Sequence, residues 1–171
     1  MKKETKMRLE TLRVRQVRNL TDIQIIPNAE INIIYGENAS GKTALLESIY
    51  LLSKARSFRT TQIKEVIQHT KNELIISGTV TKNKDAHINT GIRKTSKETE
   101  IRYNNNRIRA VSEQANNVIV QCAVPDDTKL ITGAPRDRRK WINWALFHVE
   151  QNYLQVWHEY HHALRSRNAL L

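Results

Sequence analysis

Gly36-Glu37-Asn38-Ala39-Ser40-Gly41-Lys42-Thr43 decides how the rest of this 171-residue chain is read. The octet fits the pattern G-x-x-x-x-G-K-[ST], and each fixed position has a physical reason. A loop that curls around a phosphate must aim several backbone N–H groups inward, and side chains at Gly36 and Gly41 would obstruct it. Lys42 brings a cation to β and γ phosphates and Thr43 a hydroxyl to Mg²⁺. The helix that begins there adds its positive dipole end. The flanks agree. Ile31-Asn32-Ile33-Ile34-Tyr35 is a short, almost wholly apolar run, which is the pattern of a strand covered on both faces. After the loop, Leu45, Leu46, Ile49, Tyr50 and Leu52 recur at helical spacing. Strand, glycine loop and helix follow in the order that the mechanism requires. The alternative is an accidental glycine turn ahead of a helix.

Upstream, Leu12 to Val17 reads as a strand with one basic face, and Leu20 to Ile26 as a second strand closed by Pro27. Downstream, Ser53 to Arg59 reads as a loop and Ile63 to Gln68 as a short helix. The middle of the chain changes character. Leu74 to Val80, Ala86 to Ile92 and Thr99 to Tyr103 are short, β-branched and flanked by polar residues. Asn104-Asn105-Asn106 is a turn signal, because asparagine tolerates left-handed backbone angles, and Arg107 to Val111 would pair back as a hairpin. Residues 74–111 are therefore expected to be antiparallel β. Val118 to Val124 reads as another buried strand, ended by Pro125. Pro135 stands where a helix can start. Trp141, Trp144, Ala145 and His148 form one helical stripe, and Tyr153, Val156, Trp157, Tyr160 and Leu164 form a second. That last helix runs to Leu171 without a cap, Gly or Pro, which predicts a piece of a longer chain.

Composition narrows the function classes. Lys and Arg number 28 against 17 Asp and Glu, a net charge of +11. A field of that sign favours polyanions such as nucleic acid, nucleotide phosphates or an anionic surface. The single cysteine, Cys122, excludes an internal disulfide framework and fits a reducing compartment. No apolar run approaches the roughly 20 residues of a membrane helix. The basic N-terminus continues into Glu10, Arg13, Arg15 and Arg18 rather than the apolar stretch of a signal peptide. A cytoplasmic location is expected.

A set of ordered motifs resembles one family. Arg18-Asn19-Leu20, the run Asn32 to Asn38 with its lysine loop, and Leu46-Glu47-Ser48-Ile49-Tyr50 look like the start of RecF-family chains. Ser57-Phe58-Arg59-Thr60, Pro125-Asp126-Asp127, Gly133-Ala134-Pro135, Arg138-Arg139 and Arg165-Ser166-Arg167-Asn168 resemble later family signposts in the right order. The family comprises bacterial recombination-mediator ATPases related to the ABC-type heads of SMC proteins. The resemblance implies an α/β P-loop NTPase fold of ABC-ATPase head type, N-terminal lobe only. Its mixed sheet would surround the P-loop helix, an antiparallel β region would cover one side, and C-terminal helices would start a coiled-coil arm. Residues 1–134 would form the head lobe and 135–171 the helices leading toward the arm.

The resemblance also implies ATP and Mg²⁺ as cofactors, with Gly36 to Thr43 holding the nucleotide and Thr43 the metal. Arg18 and Asn19 would flank the nucleotide, and Arg59 would reach nucleotide or DNA; for all three a surface role is the alternative. Asp126 would touch metal-bound water, or else form a turn after proline. The implied function is ATP-dependent binding of DNA at gaps or single-strand/double-strand junctions during repair. Two heads would sandwich ATP in a homodimer, with a RecR-like mediator as partner. Family chains continue for roughly as long again, and their Walker B acidic pair and ABC signature are not visible in this sequence; Val124-Pro125-Asp126-Asp127 comes nearest to the first. A nucleotide- or DNA-binding module without turnover is therefore a second reading, and an unrelated P-loop enzyme such as a small-molecule kinase a third.

Weaker signals lie elsewhere. Arg136, Arg138, Arg139 and Lys140 form a basic cluster backed by Trp141 and Trp144. Contacts to DNA phosphates are one reading, and a solvated helix face is the other. The first 18 residues carry seven Lys or Arg against two Glu, either a backbone-tracking arm or a plain leader. His158, His161 and His162 can share a helical face, but no carboxylate or cysteine stands at metal-ligand spacing. Cys122, in an apolar run, reads as a core residue.

Overall fold

The computed structural model describes residues 7–82, 86–108, 111, 114–115, 118–124, 129–150 and 152–170. The chain forms two compact units, Met1–Cys122 and Ala123–Leu171.

The first unit is built on a six-stranded sheet of order β2-β1-β3-β4-β5-β6. Its strands are β1 Met7–Val17, β2 Leu20–Ile25, β3 Glu73–Lys82, β4 Ala86–Thr95, β5 Thr99–Tyr103 and β6 Asn106–Ile108. Every pairing between them is antiparallel. Alternation puts Leu12 and Val14 of β1, Leu74 and Ile76 of β3, Ile92 of β4 and Ile101 of β5 on one buried face. Gln16, at φ 59°, interrupts the alternation of β1, so Val17, three residues after Val14, is buried too. A β-bulge between Leu9 and Thr11 brings the β1 backbone close to β3. A Cβ at Gly78 would lie 2.4 Å from the Thr11 carbonyl oxygen, so the bulge requires glycine there. The β5–β6 hairpin turns on Asn104 and Asn105, both at positive φ (46° and 66°), as the asparagine run predicts.

Helix α1 (Lys42–Lys54) packs on the apolar face against β1, β3 and β4. Leu51 and Leu52 join Leu12, Leu74 and Ile76 in one core cluster, where truncation of a leucine to alanine would cost about 2–5 kcal/mol. The buried face of α1 is Ala44, Glu47, Ser48, Leu51 and Leu52. Of the stripe expected from periodicity, Leu52 is buried and Leu45 and Ile49 pack against the core cluster, whereas Leu46 is exposed; Glu47 and Ser48, which periodicity does not place inside, are buried with internal partners. Ser48 Oγ donates to the Ala44 carbonyl at 2.7 Å. The C-terminus of α1 is tied to the sheet by Lys94 Nζ, which donates to the Ala55 carbonyl at 2.5 Å. Burial holds the Lys94 ammonium below its ordinary pKa. Gln114, also buried, bridges the Leu52 carbonyl (2.8 Å) and Thr90 Oγ1 (2.6 Å).

Two expected strands are absent from the described sheet. Residues 31–35 form no regular element, and Ile31, Ile33 and Tyr35 are 77%, 82% and 88% exposed. Residues 118–124 are likewise irregular, although Val118 is buried. Both runs have the composition of strands covered on two faces, and neither has a neighbouring strand to pair with among the described residues. The expected helix at Ile63 is a single 3₁₀ turn, Ile63–Glu65.

The second unit holds a short helix α2 (Lys129–Thr132), α3 (Pro135–Val149) and α4 (Tyr153–Ala169). Pro135 occupies the first turn of α3, where a missing N–H costs nothing. No helix among the described residues is long and apolar enough to cross a membrane.

Candidate functional site

The glycine-rich loop leads directly into α1, as the sequence predicts. Gly41 is the N-cap at φ 102°, and no side chain caps the first turn, so the N–H groups there stay open to an anion. Only glycine fits at this point: a Cβ on Gly41 would lie 2.7 Å from Leu20 Cδ2 and 3.3 Å from Asn19 Oδ1. Within the loop Ala39 takes a positive φ of 62°, and the Ser40 N–H donates to the Glu37 carbonyl at 3.3 Å. Lys42 Nζ bends back over the loop and donates to the carbonyls of Gly36 (2.9 Å) and Glu37 (2.6 Å). A cation therefore stands over the loop, held by the loop's own carbonyls. Residues 36–40 and Thr43 are exposed, so none of the described residues of the first unit covers the loop.

The turn between β1 and β2 supports the loop from behind. Asn19 Nδ2 donates to the Ala39 carbonyl at 2.7 Å, and Leu20 lies under Gly41. Arg18, at φ 50°, is turned away from the loop. Its Nε and Nη2 donate to the two carboxylate oxygens of Glu47 at 2.5 and 2.9 Å, and Nη1 donates to the Glu65 carbonyl at 2.9 Å. Ser57 Oγ donates to the same carboxylate. Arg59 Nη1 stands 3.9 Å from Glu47 Oε2. Burial pushes the Glu47 carboxyl up, but hydrogen bonds from Arg18 and Ser57 and the charges of Arg18 and Arg59 outweigh it and hold the pKa below the ordinary value. Ser57 also accepts from the backbone N–H groups of Arg59 (2.9 Å) and Thr60 (3.2 Å), which shapes the loop carrying Arg59. Phe58 packs edge-on against Tyr50 of α1, 5.5 Å between centroids.

Sequence reasoning singled out Arg18, Asn19 and Arg59 but assigned no role to Glu47 or Ser57. A signal was available: Glu47 lies on the same helical line as Ala44 and Leu51, where a lone carboxylate needs a partner. Asp126 and its neighbours Pro125 and Asp127 lie outside the described residues. So do Lys2, Lys3 and Lys6 of the basic leader. Among the described residues no group of His, Cys, Asp and Glu has metal-holding geometry, the α4 histidines included.

In the second unit Arg136, Arg138, Arg139 and Lys140 are all exposed on α3. Arg138 reaches back to the Gly133 carbonyl at 3.2 Å, and Lys140 stands 3.6 Å from Asp137. Arg136, Arg139 and Lys140 line one wall of a groove of about 520 Å³, whose other wall carries Trp157, Tyr160 and His161 of α4.

Residues 8–122 match the family described as RecF/RecN/SMC N terminal domain. The chain belongs to that family. The matched span takes in the phosphate loop, α1 and nearly all of the sheet. Similarity to RecF itself extends further, into the second unit. The chain is 41% identical over 166 residues to the DNA replication and repair protein RecF of Azotobacter vinelandii, covering 96% of this chain and 46% of that protein. It is 40% identical over 166 residues to the RecF of Pseudoalteromonas translucida, 96% and 45% covered. Among solved structures it is similar to the recombination mediator RecF-ATP of the RecFOR pathway, at TM-score 0.85, 28% identity and 97% of this chain against 46% of that one. The corresponding RecF-ATPrS structure gives 0.83 at the same identity. The chain thus spans about half the length of these relatives, and its fold is that of the RecF ATPase head over that half.

Proposed function

We propose that the loop Gly36 to Thr43 binds the triphosphate of ATP, and that the chain supplies the nucleotide-holding half of a RecF-type head acting in DNA replication and repair. One observation carries this reading: Lys42 Nζ already spans the loop mouth on two carbonyls, beside the uncapped N-terminus of α1. Incoming β and γ phosphates would exchange those carbonyls for a stronger, charge-assisted contact. The residues present fit the ligand, since loop residues 36–40 and Thr43 are exposed, no side chain caps the first turn and Gly41 admits no side chain. Thr43, exposed on the first turn, is the residue whose hydroxyl would hold Mg²⁺, and the ion would supply neutralisation of phosphate charge there. The ATP-bound state of the related RecF structures supports the same ligand. Calorimetric titration with ATP–Mg²⁺, on the parent and on Lys42→Ala, tests the assignment. Micromolar binding lost in the variant is the expected result, and equal affinity would overturn it.

Binding without turnover is the reading favoured for the chain by itself. The one carboxylate on α1, Glu47, is committed to Arg18 and Ser57 and unavailable to orient water. Contact with DNA fits the exposed cluster Arg136, Arg138, Arg139 and Lys140 together with the net charge of +11. In the full-length relatives' context, ATP-dependent pairing of two heads, preference for gapped or junction DNA, and a RecR-like partner complete the proposal. A cytoplasmic location goes with that role.

A further inference from the structure

We infer that Glu47 is the positioning residue of the nucleotide site: through Arg18 and Ser57 it fixes the β1–β2 turn and the Arg59 loop against the phosphate loop. The inference rests on the nucleotide reading above and adds to it a residue that touches no phosphate. Glu47 is fully buried, one helical turn beyond Thr43, among Ala44, Leu51 and the sheet. Burying a carboxylate there is costly, and a buried ion pair commonly stabilises a fold no better than an apolar residue of the same size. Stability is thus a weak reason for a carboxylate at this position, whereas geometry is a strong one. Its two oxygens gather donors from segments 29 residues upstream and 10 residues downstream.

Each link leads back to the cradle. Arg18 is held on both guanidinium edges, by Glu47 and by the Glu65 carbonyl, and its backbone N–H donates to the Val66 carbonyl at 2.7 Å. That grip keeps a non-glycine residue at φ 50°, a conformation that surrounding structure must impose. The next residue, Asn19, is thereby aimed at the Ala39 carbonyl, and Leu20 is set beneath Gly41. On the other side Ser57 joins Glu47 to the backbone of Arg59. The Arg59 guanidinium, 45% exposed and 3.9 Å from Glu47, is held by charge at a distance too long for a hydrogen bond. It is placed beside the site but still able to turn to an anion. Glu47 is therefore the hub on which the turn behind the phosphate loop and the arginine beside it are both set.

The test compares ATP affinity, by calorimetry at 10 °C, with thermal unfolding followed by circular dichroism. The variants are Glu47→Gln, Asn19→Ala, the double substitution, Ser57→Ala and Lys42→Ala. Glu47→Gln keeps the size of the side chain but removes its charge and one acceptor oxygen. Positioning predicts about a tenfold loss of ATP affinity with a cooperative unfolding transition retained. Asn19→Ala should then add little to Glu47→Gln, because the grip on Ala39 is already released. A purely structural glutamate would lower the melting temperature, leave the affinity of the folded protein unchanged, and give additive losses; either of the last two results overturns the inference. Should Glu47→Gln fail to fold, Ser57→Ala carries the test: about a threefold loss supports the inference, and parental affinity overturns it. If Lys42→Ala loses ATP while Glu47→Gln does not, only this inference falls. If the parent binds no ATP, or binds it as Lys42→Ala does, the nucleotide reading falls and takes this inference with it.

Discussion

Asn19 and Ala39 are joined by a 2.7 Å hydrogen bond from side-chain amide to backbone carbonyl, which ties the β1–β2 turn to the phosphate loop. A neutral bond of this kind contributes about 1 kcal/mol net. Asn19→Ala is therefore expected to lower stability by about that amount and, by loosening the phosphate loop, to weaken ATP binding up to roughly fivefold. Titration with a fluorescent nucleotide and urea denaturation check the two halves separately.

Gly41→Ala should damage both stability and binding. Its φ of 102° is strained for any L side chain, and the new Cβ would meet Leu20 Cδ2 at 2.7 Å. Backbone strain of this kind costs about 1–3 kcal/mol, so the urea midpoint should fall visibly and ATP affinity should fall with it. An alanine variant of parental stability would show that the turn is looser than its contacts imply.

Lys42→Ala should behave in the opposite way. The Lys42 ammonium donates to the loop carbonyls of Gly36 and Glu37 and not to the core, so its removal should spare the fold and abolish tight ATP binding. Near-identical circular dichroism spectra with no calorimetric heat would fit. Loss of the fold would mean that the lysine organises the loop even without nucleotide.

Acid should weaken the fold partly through Glu47. Its folded pKa lies below the ordinary value of 4.5, so the unfolded chain binds the proton more readily. The stabilising contribution is complete above the unfolded pKa and is lost as pH falls through the folded one. Stability measured from pH 7 down to 3 should therefore decline less steeply in Glu47→Gln than in the parent. Parallel curves would show that other carboxylates, such as Asp22 paired with Arg13, carry the acid sensitivity.

For the second unit, log affinity for duplex DNA should fall with log salt by roughly 0.9 per neutralised phosphate. Replacing Arg138 and Arg139 by alanine should flatten that slope by up to about 2. An unchanged slope would leave α3 as a solvated face.

The phosphate loop was legible because eight adjacent residues carry all its constraints. The same holds for Asn104-Asn105 and for Pro135, where one residue type answers one local backbone demand. Glu47 was legible only in part: its helical line with Ala44 and Leu51 signals a carboxylate in need of a partner, but that partner, Arg18, is 29 positions away and nothing local names it. Gln16 hides its left-handed φ for a similar reason, since nothing in its type demands it. Ile31 to Tyr35 shows a different limit. Periodicity reports that a run is apolar enough to be covered, but not what covers it.

That run has a practical consequence. Ile31, Ile33 and Tyr35 are largely bare, and their backbone belongs to no strand ladder among the described residues. The Asn32 side chain pins the entrance of the segment: its Oδ1 accepts from the Asn28 N–H at 2.7 Å and its Nδ2 donates to the Asn28 carbonyl at 3.0 Å. Gly36 and the phosphate loop follow at its exit. Apolar, exposed and unaccompanied, such a stretch is open to pairing with a free strand. In concentrated solution it will make the protein adhesive, so particle size by light scattering should climb with concentration. A strand that docks there would also brace the stem of the phosphate loop, making occupancy of the nucleotide pocket and solubility two readings of one event.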